Sequence, residues 1–249
     1  MTLRPRTRDA IAATRAAGIP FIIVTGRMFV SARRYAALAG IDDPVVCYQG
    51  AVVAEPVSGR WLRHEPIPLE LARETIAALN EEGFGPNCYV DDELYVAEIT
   101  PQAEQYAGFQ DLVLHPVGNL LAWLDQPPTK LVVIDDARVL QELKERMVAR
   151  FDGRLYISTS LPYFLEFASP EVTKASGLEF VAEHLGFSRE GTVAFGDGEN
   201  DLELVDWAGF GIAVANAHEL VKERADFVCP SVNDEGVAQV LEAYLDSRA

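Results

Sequence analysis

Residues Gly196-Asp197-Gly198-Glu199-Asn200-Asp201 put three carboxylates and an amide into six positions, directly after the apolar run Thr192-Val193-Ala194-Phe195. The pattern reads as a buried strand that ends, a turn on two glycines, and a helix opening at Leu202-Glu203-Leu204-Val205. Acidic groups at the carboxyl end of a parallel strand stand where open α/β sheets place ligand chemistry. Crowded carboxylates repel one another, and a hard cation such as Mg2+ relieves that repulsion. A helix start also favours Asp, Asn and Glu as caps, so the hexapeptide alone leaves metal site and cap equally open. Two further pieces carry compatible chemistry. Thr25 follows the apolar run Ile19–Val24 and offers a hydroxyl beside the Gly26 and Arg27 amides, and Lys174 precedes a helical stretch. A hydroxyl, a lysine and carboxylates for Mg2+ are the parts that position a phosphoryl group and spread its charge.

The elements that must hold these groups follow from periodicity. Arg6–Ala17 reads as an amphipathic helix with Pro5 near its start and Gly18 as its stop. Ile19–Val24 reads as a strand, Ser31–Ala39 as a helix and Pro44–Tyr48 as a strand, an alternation that means parallel strands with crossover helices. From about residue 59 the pattern changes. A helix over Leu69–Glu82, a hairpin of Cys88–Val90 and Leu94–Val96 around Asp91-Asp92-Glu93, a strand at Lys130–Ile134, a helix over Ala137–Arg150 and strands at Leu155–Ser158 and Phe164–Phe167 indicate an α+β layer. The β–α alternation resumes with a helix over Ala175–Leu185, then Val193–Phe195, Leu202–Ala208, Gly211–Val214, Ala217–Arg224, Phe227-Val228 and a last helix over Gly236–Leu245. The expected division is therefore an α/β domain over 1–58 and 169–249, interrupted by an α+β domain over 59–168.

Composition bounds the partners. A net charge of −17 disfavours nucleic acid, whose phosphates select basic surfaces, and disfavours an anionic membrane. No run approaches the ~20 apolar residues of a membrane span, and no secretory signal opens the chain. Cys47, Cys88 and Cys229 are odd in number and far apart, which reads as reduced core thiols of a cytoplasmic protein. His64, His115, His184 and His218 share no metal-ligand spacing and read as surface or packing residues. Oligomeric state and exact substrate are not legible.

Taken together, Val24-Thr25-Gly26-Arg27, Val172-Thr173-Lys174 and Gly196–Asp201 resemble the haloacid dehalogenase-like superfamily, most closely its Cof-type sugar-phosphatase branch. Pro5-Arg6-Thr7, Ala10-Ile11 and Asn233–Val237 extend the resemblance over nearly the whole chain. It implies a Rossmann-like α/β/α core with a parallel sheet and an inserted α+β cap that sets specificity. It also implies Mg2+-dependent hydrolysis of a phosphomonoester through an aspartyl-phosphate, with a small phosphorylated metabolite, a sugar phosphate, as partner. Carried over by position, Thr25 binds a phosphate oxygen with help from the Gly26 amide, and Lys174 neutralises phosphate and nucleophile. Asp197 is a Mg2+ ligand, Asn200 contacts phosphate, and Asp201 orients Lys174 or a metal-bound water. Among cap residues, Tyr89, Tyr95, Tyr163 and Glu166 are candidates to face a cleft.

The chain departs from the family at two places. The Asp-x-Asp-Gly-Thr strand that supplies nucleophile and general acid/base does not precede Arg4, and Asp9 falls on the first helix. The expectations are a native start roughly 15–20 residues earlier, or a catalytically silent phosphosugar-binding or regulatory protein. As written, the chain is expected to release no phosphate and to show a gap or irregular pairing between Ile22–Val24 and Val193–Phe195. After Cys47-Tyr48 the usual Asn-Gly of the family is Gln49-Gly50, an amide one methylene longer.

Overall fold

The computed structural model describes residues 3–248. In chain order its elements are α1 (Pro5–Ala16), α2 (Phe29–Ala39), β1 (Val45–Cys47), β2 (Val52–Ala54), β3 (Trp61–His64), α3 (Leu69–Glu81), β4 (Asn87–Val90), β5 (Glu93–Val96), α4 (Pro101–Gln110) and β6 (Leu114–Pro116). They continue with α5 (Leu120–Trp123), β7 (Lys130–Ile134), α6 (Ala137–Phe151), β8 (Tyr156–Leu161), β9 (Phe164–Ala168), α7 (Lys174–Leu185), β10 (Val193–Gly196), α8 (Leu202–Trp207), β11 (Phe210–Val214), α9 (Glu219–Arg224), β12 (Phe227–Cys229) and α10 (Gly236–Asp246). The chain forms two compact units. One comprises Met1–Arg27, Ala32–Leu62 and Thr173–Ala249, and the other Met28–Ser31 and Arg63–Val172.

In the first unit β10, β11 and β12 form a parallel sheet, with Val193 opposite Phe210 and Ile212 opposite Phe227. The intervening helices α8 and α9 make the crossovers that parallel strands require. Helix α7 is capped at both ends by its own sequence. The Thr173 hydroxyl accepts from Ser176 N, the Ser176 hydroxyl binds back to Thr173 N, and Gly186 closes the helix at φ 76°. Val46, Val53, Leu178, Val181, Ala194 and Leu204 form a core, with Ile22 and Val24 packed against it.

The run Ile19–Val24 departs from its expectation as a strand. Val24 makes a single parallel bridge to Val46, through Val46 N to Ile23 O and Thr25 N to Val46 O, each 2.8 Å. A strand is defined by the hydrogen bonds of its neighbours, and here only Val46 answers, while Pro20 has no N–H to give. Among the described residues, β10 pairs with β11 and no strand lies between it and Ile22–Val24. Strand β1 turns back on β2 as an antiparallel pair, Val46 opposite Val53.

The second unit is built on a six-stranded sheet of order β6-β5-β4-β7-β9-β8, antiparallel except for β5 and β6. Side chains alternate between its faces. Cys88, Val90, Leu131, Val133, Leu165 and Phe167 point to one face and pack with Ile76, Leu79, Leu143, Met147 and Phe151 from helices α3 and α6. Tyr95 shares this helix-covered face and packs 4.3 Å from Trp123, so it does not join Tyr89 and Glu166. On the other face the register places Asn87, Val132, Glu166 and Ser158 in one cross-strand row. Lys130 and Glu166 form a buried ion pair of 3.0 Å there, and the Ser160 hydroxyl also donates to Glu166. The Lys130 ammonium sits 5.0 Å from the Tyr89 ring, whose hydroxyl bonds that of Tyr106 at 2.5 Å. Among the described residues, the buried Asn87 Nδ2 and Ser158 Oγ have no hydrogen-bond partner.

Removing one member of a buried pair strands the other charge, whereas replacing both by apolar groups is tolerated. Glu166→Leu is expected to lower unfolding free energy by about 3–5 kcal/mol in urea titrations, and Lys130→Met with Glu166→Leu to recover most of that loss.

Candidate active site

Lys174 is the first residue of α7, where the exposed N–H groups of the helix make a cation unfavourable. Its side chain is 8% exposed, and the ammonium donates to Asp201 Oδ1 at 2.5 Å; the Asp201 side chain is 7% exposed. The other oxygen, Asp201 Oδ2, accepts from the backbone amides of Asp197 and Gly198, each at 3.0 Å. One carboxylate therefore holds the lysine and ties down the turn after β10. Burial pushes the Asp201 carboxyl up, but the Lys174 charge, its hydrogen bond and the two amides outweigh this and hold it below the usual carboxylate range.

Asp197 sits at the rim of the same turn and is exposed to solvent. Its carboxyl is raised, first by partial burial, then by the neighbouring Asp201 charge, with Lys174 offsetting part of the effect. A carboxylate held in this state gains from a nearby cation. Among the described residues no three His, Cys, Asp or Glu gather as a metal cluster. The Asp197 carboxylate is a hard oxygen donor of the kind that Mg2+ takes.

Thr25 lies at the carboxyl end of the bridged Val24 segment. Its Oγ1 accepts from Arg27 N at 3.2 Å, an ST-turn that fixes the hydroxyl beside the Gly26 backbone. Asn200 is buried, and its Nδ2 donates to Gln49 Oε1 at 3.0 Å. Gln49 N in turn donates to Thr25 O at 3.1 Å. Within this unit the candidates thus fall into two linked groups. Lys174, Asp201 and Asp197 form one, and Thr25, Gly26 and Asn200 meet through Gln49. Sequence reasoning treated Gln49 only as a substituted family position; its link to Asn200, 151 residues away, has no local signal. His218, read as a surface residue, is exposed and pairs with Glu199 at 3.2 Å, and its N–H donates to Asp197 O at 2.8 Å. Asp9 lies exposed on α1 and pairs with Arg8, while Asp42 and Asp43 pair with Arg15.

A sequence model of a family described as haloacid dehalogenase-like hydrolase matches residues 1–241. The chain is 32% identical to a phosphoglycolate phosphatase of Archaeoglobus fulgidus, over 94% of this chain and 86% of the relative. It is 27% identical to the pyridoxal phosphate phosphatase YbhA of Escherichia coli, over 98% and 93% of the two chains. The crystal structure of TM0651 from Thermotoga maritima superposes with a TM-score of 0.83 at 31% identity, covering 97% of this chain and 91% of that one.

Asp201→Asn removes the counter-charge of Lys174 and is expected to cost about 3–5 kcal/mol at neutral pH. Because the folded-state value of Asp201 is lowered, its contribution is complete above the unfolded value near 4 and is lost as pH falls through the folded one. Denaturation profiles of wild type and Asp201→Asn are expected to converge below about pH 4. A constant gap down to pH 2 would refute the ion-pair account.

Proposed function

Because the chain belongs to the haloacid dehalogenase-like hydrolase family, we propose that it acts as a Mg2+-dependent phosphatase of small phosphorylated metabolites, sugar phosphates in particular. The observation that carries this reading is the buried Lys174–Asp201 pair set against the raised Asp197 carboxyl. An ammonium held dry at a helix start is a charge that a phosphoryl group can share. The Thr25 hydroxyl and Gly26 amide bind phosphate oxygens, Asn200 donates to another, Asp201 orients Lys174, and Asp197 holds the metal. Mg2+, when bound, supplies charge neutralisation at the phosphoryl oxygens. The named relatives act on phosphoglycolate and pyridoxal phosphate, both small phosphomonoesters. A reducing, cytoplasmic setting fits the three buried cysteines, Cys47, Cys88 and Cys229.

A second reading, a phosphosugar-binding or regulatory protein without turnover, is favoured by one observation. Asp9 lies exposed on α1 and pairs with Arg8, so it supplies no nucleophile beside Lys174.

The test is phosphate release from a panel of phosphomonoesters with Mg2+ and with chelator, alongside calorimetric binding of inorganic phosphate. Release that needs Mg2+, and that falls at least ~100-fold in Lys174→Ala, selects the phosphatase reading and overturns the expectation that these 249 residues release none. Binding of phosphate that Lys174→Ala abolishes, with no release, selects the second reading, and neither binding nor release refutes both.

A further inference from the structure

Three consecutive residues, Tyr48, Gln49 and Gly50, have φ of 52°, 60° and 111°. For Tyr and Gln this is a sparsely populated region that persists only where the surroundings impose it, and such residues concentrate at functional sites. The surroundings here are the segments that carry the site. Tyr48 N donates to Arg27 O at 2.9 Å and Gln49 N to Thr25 O at 3.1 Å, so the strained turn is bonded to the Thr25–Arg27 loop at both ends. Gly50 presses on the start of α7. A Cβ there would lie 2.0 Å from Thr173 O, so no other residue fits beneath Lys174. The Gln49 side chain is 1% exposed and lies flat on Gly26, where a Cβ would come within 2.5 Å of Gln49 Nε2. Its Oε1 accepts from Asn200 Nδ2 at 3.0 Å.

A primary amide carries two hydrogens on one planar nitrogen, so fixing one N–H fixes the direction of the second. Asn200 makes no other side-chain hydrogen bond among the described residues, which leaves that second N–H aimed but unspent. We propose that Gln49 is a positioning residue of the phosphate site: it holds Asn200 by one N–H so that the other is pre-aimed at a phosphate oxygen, and it keeps this donor in register with the Thr25–Gly26 loop. The proposal rests on the reading of Thr25, Gly26 and Asn200 as phosphate contacts. The longer amide of Gln49 suits the role, because it spans from a turn bonded to Thr25 to the separate loop that carries Asn200.

The experiment uses the full chain, with Gln49→Met (same length, no acceptor) and Gln49→Gly. Glycine is at ease at φ 60°, so it removes the amide while relieving the turn. Two quantities are read. One is solvent exchange and chemical shift of the Asn200 side-chain amide by 15N NMR; the other is the Kd of inorganic phosphate by calorimetry for wild type, both Gln49 variants, Asn200→Ala and the doubles. Both Gln49 variants are expected to speed exchange of the Asn200 amide and to weaken phosphate about tenfold, as loss of one oriented hydrogen bond would. The double variants should bind no more weakly than Asn200→Ala alone, since Gln49 acts through Asn200. Losses that add, or an Asn200 amide indifferent to Gln49, overturn the proposal. If Asn200→Ala weakens phosphate and the Gln49 variants do not, the proposal alone fails. If Asn200→Ala and Lys174→Ala both leave phosphate binding unchanged, the phosphate reading fails and takes the proposal with it.

Discussion

A lysine ammonium with 8% of its side chain exposed, at the first turn of a helix, is stable only beside a counter-charge, and the Lys174–Asp201 pair supplies it. Much of the first unit is arranged around that constraint. Asp201 can reach Lys174 because the chain turns at Gly196–Gly198, and its second oxygen binds the two amides that the turn leaves open. Lys174 is held in place by a helix start that caps itself through Thr173 and Ser176. The electrostatic consequence is local: Asp201 is pushed down and Asp197 up.

The strained turn at Tyr48–Gly50 solves a second problem, that of bringing loops from distant parts of the chain to a common distance. It is bonded to Thr25–Arg27, packed beneath Thr173 and reached by Asn200. The cost of the left-handed conformation is carried by the burial of Tyr48, Gln49 and Gly50, all at the centre of the unit.

The second unit separates its tasks by face. One side of its sheet is apolar and covered by α3 and α6, which supplies the stability of an independent core. The other side keeps an ion pair, several hydroxyls and two unsatisfied polar atoms out of bulk solvent. A stability argument alone gives no reason to bury such atoms, since each unsatisfied group costs about 1–3 kcal/mol.

Much of this was legible in the residues. The alternation of period 2 and period 3.6 segments gives most of the helices and strands, because burial of one face writes itself into spacing. The order of Thr25, Lys174 and Gly196–Asp201 pointed to phosphoryl chemistry, since hydroxyl, ammonium and carboxylate side chains are what that chemistry uses. Other features depended on tertiary neighbours. Ile19–Val24 has the composition of a strand, yet Val46 is its single ladder partner, and a strand exists only through partners. Tyr95 and Tyr89 are six residues apart and read alike, but the hairpin register sends them to opposite faces. Short strands β3 and β6 and the four-residue α5 carry too few residues for a period to show. The role of Gln49 was invisible for the same physical reason: its hydrogen bond spans 151 residues, and no local pattern encodes where a buried amide will end. Residue types and spacing thus determined the chemistry available to this protein, while pairing, register and long-range hydrogen bonds decided which groups meet.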